Sequence, residues 1–172
     1  SIFTPEREPY RPLVGFEYEI ICLRGEDLTP LPYDGKGGLG EILAEAARLA
    51  GGELRHVDGE PVTKADLPDE GLLSLEPGGQ FEFSSSPKPT FQGSVKQFET
   101  YQALLAELQQ RFRLHCFFGG VNPVHTVDQI GLNTRTRRYE IMDAYFPTAG
   151  TMGRRMMRQT CSVHVTFDYR DA

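Results

Sequence analysis

Near its start the chain alternates apolar and acidic positions. In "LVGFEYEIICL", residues 13–23, Phe16, Tyr18 and Ile20 interleave with Glu17 and Glu19. A period of two predicts a strand with the rings on one face and the acids on the other. "GLGEILAEAARLAGG", 38–52, instead spaces Leu39, Ile42, Leu43, Ala46 and Ala47 as a helix does, and Gly51-Gly52 ends it. Residues 53–70 read as short strands and polar turns. "LLSLEPGGQFEFS", 72–84, reads as strand, turn, strand, broken off by Pro87 and Pro89. The longest helical pattern is 90–113, with a stripe of Phe91, Val95, Phe98, Tyr101, Leu104, Leu105, Leu108 and Phe112 behind an N-cap at Thr90. "LHCFFGGVN", 114–122, reads as a buried strand. "RYEIMDAYFP", 138–147, reads as a short helix stopped before Pro147, and 151–159 as another. "TCSVHVTFDY", 160–169, alternates as a strand. The expected fold is α+β, a mainly antiparallel sheet with flanking helices. Residues 1–12 carry three prolines and read as an extended lead-in to a domain spanning 13–172. A strand so near the last residue implies an unpaired sheet edge, covered by more chain or by a second subunit.

Composition narrows the function classes. Of 172 residues, 39% are hydrophobic and 24% charged, and the net charge is -6. The densest basic stretches are only "RTRR" at 135–138 and "RRMMR" at 154–158. Duplex nucleic acid is therefore not an expected partner. No apolar run is long enough for a spanning helix, so no membrane partner is expected either. Cys22, Cys116 and Cys161 are far apart in sequence and odd in number. They read as buried thiols in a reducing, hence cytoplasmic, setting.

The candidate chemistry is carboxylate chemistry. Glu17 and Glu19 share a strand face, and Glu82 sits between Phe81 and Phe83 after a Pro-Gly-Gly turn that follows Glu76. One reading is a solvated strand face. The other is a site where acids converge on a hard cation, Mg²⁺ or Mn²⁺, since clustered carboxylates repel unless compensated. No Cys/His spacing suits zinc. His164, between Val163 and Val165, reads either as a structural residue or as a ligand.

Four runs occur together: "VGFEYEI", "SLEPGGQFEFSSSP", "RYEIMDAYFP" and "TMGRRMMRQTCSVHVTFDY". In order and spacing they resemble the glutamate–cysteine ligase family of plant and proteobacterial type, from about residue 13 to 169. The corresponding family runs are similar to T-E-H-E, S-L-E-P-G-G-Q-F-E-L-S, R-Y-x-I-M-x-x-Y-x-P and M-x-R-T-C-x-V-Q-V-N-x-D. The resemblance implies ATP-dependent joining of the glutamate γ-carboxylate to the cysteine amine, the first step of glutathione biosynthesis. It implies a glutamine synthetase-like funnel whose strand acids hold Mg²⁺ (or Mn²⁺) against ATP. By position it makes Glu17, Glu19, Glu82 and His164 metal ligands. It sets Arg138, Tyr139 and Thr160 along the amino-acid pocket. His164 stands where plant relatives have Gln. Position 94 is Ser, where some plant relatives carry a regulatory Cys.

Members of that type are two to three times longer, and a downstream run similar to R-x-K-x-Y-[LI]-E-x-R is absent here. The chain is therefore expected to be an N-terminal portion that needs a C-terminal half or self-association. Three functions stay open: the ligase itself, a related carboxylate–amine ligase using another amine, and a non-catalytic half-domain that binds glutamate or a partner.

Overall fold

The computed structural model describes residues 11–169, so the lead-in expected over 1–12 falls largely outside it. The long strand β1, Val14–Arg24, is the axis of the fold. After it come β2 (Thr29–Pro30), α1 (Leu39–Ala50), β3 (Glu53–Arg55), β4 (Lys64–Asp66), β5 (Leu72–Leu75) and β6 (Phe81–Ser84). Next come α2 (Phe91–Phe112), β7 (Leu114–Phe117), α3 (Val127–Ile130), α4 (Arg137–Ala149), α5 (Gly153–Gln159) and β8 (Val163–Phe167). All pairings between these strands are antiparallel, as the alternation predicts.

β6 and β8 flank the first half of β1, and β2 and β7 flank its second half. From β6 the sheet continues through β5 and β4 to β3. One face is apolar. There Phe16, Ile20, Leu73, Leu75, Phe81 and Phe83 pack with α1 and α2 in a single core. The ring of Phe83 stacks on Tyr101 of α2 at 4.7 Å, and Phe98 meets Phe16 and Tyr18 edge-on at 5.7 and 4.9 Å. The other face carries the acids.

Helix α1 ends at Gly51 in the left-handed conformation, and α2 starts at Thr90, whose hydroxyl accepts the Gly93 N–H at 3.3 Å. Both match the sequence expectation. The α2 stripe is corrected at its first turn: Phe91 is exposed, and buried Ser94 and Gln97 take the inward positions. Gln97 is held there by polar neighbours, because its Nε2 donates to Asp69 Oδ2 at 2.7 Å and to Ser86 Oγ at 2.8 Å. Polar partners thus replace apolar contact where the helix enters.

Helix α4 also departs from expectation, for it runs through Pro147 to Ala149. Proline leaves the carbonyl four residues earlier without its helical donor. That carbonyl belongs to Asp143, and the Arg154 guanidinium fills it, Nη2 and Nε donating at 3.0 and 3.2 Å. Helix α3 is absent from the periodic pattern. A capping box between Thr126 and Gln129 defines its four residues.

The cysteines are free thiols, with Cys22 and Cys161 buried and Cys116 partly so. Cys22 and Cys116, 94 residues apart, are cross-strand partners with sulfurs 3.1 Å apart.

Candidate active site

Strand register assembles the acidic face. Glu19 lies directly opposite Glu82, and Glu82 opposite Ser74. Directly opposed residues point to the same side of a sheet. Glu82 is oriented by two hydroxyls, Ser74 Oγ donating at 2.8 Å and Ser84 Oγ at 3.2 Å to its Oε1. Phe81 and Phe83 are buried on the reverse side. The acid between two aromatics is therefore a strand residue seen edge-on: rings into the core, carboxylate onto the open face.

Glu19 Oε2 accepts from the Ser162 N–H at 2.9 Å and from Ser162 Oγ at 3.2 Å. Its carboxyl is held above the ordinary range, chiefly by burial and less by the Glu82 charge, with the Ser162 N–H opposing. Further along β1, Glu17 opposes His164 of β8, with Nδ1 and Oε2 3.3 Å apart.

The sequence reading assigned no role to Glu76, and the structure makes it part of this cluster. Its carboxyl is raised to about 7, first by burial and second by the Glu82 charge, with Glu19 adding to the effect. The Tyr139 hydroxyl donates to Glu76 Oε2 at 3.0 Å, and this bond and Lys64 pull the other way. The same contact and burial hold the Tyr139 phenol above its ordinary range. The signal available in sequence was parity: Leu72, Ser74 and Glu76 alternate toward the face of Glu82, provided the strand reaches its turn in register.

The turn after Glu76 is tightly specified. Gly79 N–H donates to Glu76 O at 2.8 Å, with Gly79 at φ +86°. A Cβ on Gly78 would lie 2.0 Å from the Arg158 carbonyl oxygen. Buried Gln80 then ties this turn to the end of α5. Its Nε2 donates to Thr160 O at 2.8 Å and to Met157 O at 3.3 Å, while its Oε1 accepts from Gly78 N–H at 2.8 Å. Arg158, buried in the same region, pairs with Asp143.

The expected ligands are thus brought together in pairs. Glu19 faces Glu82, with Glu76 beside them, and Glu17 faces His164. Among the described residues no three such groups stand within metal-holding geometry of one another. Glu17 and Glu19 both lie opposite β6, at Ser84 and Glu82, and Glu17 also lies opposite His164 of β8, so the expected ligands fall into two neighbouring pairs. The substrate residues also separate. Tyr139 reaches the acidic cluster, and the exposed Arg138 guanidinium lies 5.9 Å from its ring centre. Thr160 instead turns its hydroxyl to Met156 O at 2.6 Å, closing α5.

Beside Tyr139 an open cavity of about 370 Å³ is lined by Arg55, Glu60, Lys64, Thr136 and Arg138 among others. Arg55 is paired with Asp66. Lys64 and Arg138 give this end of the site a positive rim, suited to a carboxylate or phosphate. A larger cavity of about 530 Å³ lies on the helix side, between α1 and α2, and is lined mainly by apolar side chains.

The family model of glutamate-cysteine ligase family 2 matches residues 13–172. The chain belongs to this family. Among curated relatives, glutamate–cysteine ligase A of rice, a chloroplastic protein, is 32% identical over 161 residues. The chloroplastic glutamate–cysteine ligase of Arabidopsis thaliana is 27% identical over 168 residues. These alignments take in 91% and 95% of the present chain but only 30% of each relative, so the chain spans about a third of their length. Among the described residues no helix is long and apolar enough to cross a membrane.

Proposed function

We propose that this chain is the N-terminal part of an ATP-dependent ligase that joins the γ-carboxylate of glutamate to the amine of cysteine through γ-glutamyl phosphate. The observation that carries the reading is the opposition of Glu19 and Glu82 on neighbouring strands, with Glu76 against them, in a member of this family. We further propose that the sheet is one wall of a funnel. The three free thiols fit a reducing compartment, the cytoplasm by our reading.

The donor set suits Mg²⁺ or Mn²⁺. The oxygens are hard, and Glu76, raised to about 7 beside Glu82, is a crowded acid that a cation would relieve. Glu19 and Glu82, with Glu76 beside them, would contribute to one ion site, and Glu17 with His164 to another. A divalent ion there offsets negative charge on the phosphoryl oxygens of ATP. Ser74 and Ser84 fix the Glu82 carboxylate, and Tyr139 fixes that of Glu76. Lys64 and Arg138 supply positive charge for the substrate's anionic end. The packed rings of Phe81 and Phe83 keep water from the back of the site, which protects an acyl phosphate from hydrolysis.

The test is ADP release with Mg²⁺, ATP and L-glutamate, with and without L-cysteine, alongside calorimetric titration of ATP and Mg²⁺. Cysteine-dependent release supports the reading. Faster release with a different amine moves the protein to a related ligase. Neither release nor Mg²⁺-dependent ATP binding would leave a non-catalytic glutamate- or partner-binding domain.

A further inference from the structure

Cys22 of β1 and Cys116 of β7 lie directly opposite each other, with their sulfurs 3.1 Å apart. Opposed residues on antiparallel strands have Cα atoms about 4.5 to 5.5 Å apart, inside the roughly 4.4 to 6.8 Å that a disulfide spans. The backbone therefore already has the spacing that a bond between these sulfurs needs. Cys22 follows Phe16, Tyr18 and Ile20 at every second position, so the pair lies on the apolar face, in the core with α1 and α2 and away from the acids. Cys161 belongs to a separate cluster with Ile21 and Leu23, on the opposite face of β1. Parity thus divides the three thiols into one pair and one single. The paired thiols differ in access: Cys22 is 7% exposed, and Cys116 is only partly buried. Contact with Cys116 first, and burial second, hold the Cys22 thiol well above its ordinary range. Cys22 therefore keeps its proton, and Cys116 is the sulfur that meets an oxidant.

We propose that Cys22 and Cys116 are an oxidation site at which a hydroperoxide closes a reversible disulfide between β1 and β7. The Cys116 thiolate attacks one peroxide oxygen and the O–O bond breaks. Cys116 becomes a sulfenic acid, and the other oxygen leaves, with a proton, as an alcohol or as water. Cys22 Sγ then attacks Cys116 Sγ. The S–S bond forms, and hydroxide departs with the Cys22 proton as water. Each sulfur loses one electron, and the peroxide gains two. The bond joins residues 94 apart in sequence and encloses α1, α2 and the strands from β2 to β6. A loop of that length restricts the unfolded chain far more than the folded one, in which the sulfurs already touch. The consequence is a fold that hardens under oxidising conditions and relaxes when a reducing thiol reopens the bond. None of these steps uses the acidic face, so the proposal does not depend on the ligase reading.

The test treats the reduced 172-residue chain with hydrogen peroxide, alkylates the remaining thiols in denaturant, and reads intact mass and a peptide map. The expected product is a monomer two hydrogens lighter, with one Cys22–Cys116 cross-linked peptide and Cys161 alkylated. Its melting temperature is expected at least ~5 °C above that of the reduced chain, and dithiothreitol returns it. Cys161→Ser is expected to keep both results, and Cys116→Ser to abolish both. A cross-link through Cys161, a disulfide between two chains, or sulfinic acid at Cys116 with Cys22 still free overturns the proposal. So does alkylation of all three cysteines after the treatment, or a cross-link that leaves the melting temperature unmoved. Mass and melting need no turnover, so failure of the ligase reading would leave these outcomes, and their meaning, unchanged.

Discussion

Tyr139 of α4 donates its phenol proton to Glu76, 63 residues earlier, across 3.0 Å. The bond ties a helix to the turn between β5 and β6, and it stabilises the ionised form of a carboxyl that burial and Glu82 disfavour. Tyr139→Phe removes the donor. The Glu76 titration is then expected to move above about 7, read by carbon-detected NMR of the side-chain carboxyl. An unmoved titration would show that the hydroxyl does not act on Glu76.

The same carboxyl makes stability depend on pH. Its ordinary value is 4.5 and its folded value about 7, so between these the folded chain binds more protons than the unfolded one. Stability therefore falls as pH rises from 4.5 to 7, and the loss is complete above 7, on the order of 3 kcal/mol. Glu76→Gln is expected to flatten this dependence and to make the protein more stable than wild type at pH 8. Urea unfolding at pH 5 and pH 8 checks both statements.

A divalent cation should act on the opposite side of that window. Mg²⁺ binds ionised carboxylates, so it is expected to raise the melting temperature more at pH 8 than at pH 5. At one hundred times its dissociation constant the gain is about 2.7 kcal/mol. Glu82→Gln is expected to abolish most of this shift and to cut turnover of the active polypeptide by at least ~100-fold. An unchanged Mg²⁺ response would remove Glu82 from the site.

Phe83→Ala addresses the other side of the same strand. The ring is buried against Phe16 and Tyr101, so its loss is expected to cost about 3 kcal/mol or more. The Mg²⁺ midpoint should stay where it was, since the side chain faces away from the acids. A shifted midpoint with little loss of stability would invert this assignment of faces.

Gly78→Ala places a methyl group against the Arg158 backbone, which is not a flexible side-chain end. The turn and α5 must part to admit it, at a cost of about 2 kcal/mol or more. Chemical denaturation reads the cost directly, and a neutral result would mean the two backbones are not in contact.

Local pattern was enough to read the frame of the fold. The alternation around Glu17 and Glu19 marks β1, the Pro-Gly-Gly turn marks the hairpin, and the stripes and caps mark α1 and α2. What pattern cannot show is which distant group answers a local defect. Pro147 reads as a helix stop because nothing nearby announces that Arg154 will serve the Asp143 carbonyl. Gln97 lies outside the apolar stripe that the sequence predicts, because the groups that hold it inward, Asp69 and Ser86, come from other segments. In the site, parity gave the faces of Glu17, Glu19 and Glu82. The pairing of Glu17 with His164 and of Glu19 with Glu82 follows from strand order, which is non-local. Glu76 was missed for the same reason, since its environment is made by Tyr139 and by neighbouring acids rather than by adjacent residues.

Gln80 gives the hairpin turn and the end of α5 a common fate. Its side chain reads the backbone at Met157 and Thr160 while bracing the N–H of Gly78. The "EPGGQ" and "MMRQT" segments are thus two halves of one joint, although they are some 80 residues apart in the chain. A chimera that takes one half from a relative and keeps the other inherits a seam inside the joint. Recombination between family members should succeed when both segments travel together, and fail when the crossover falls between them and the halves differ in backbone path.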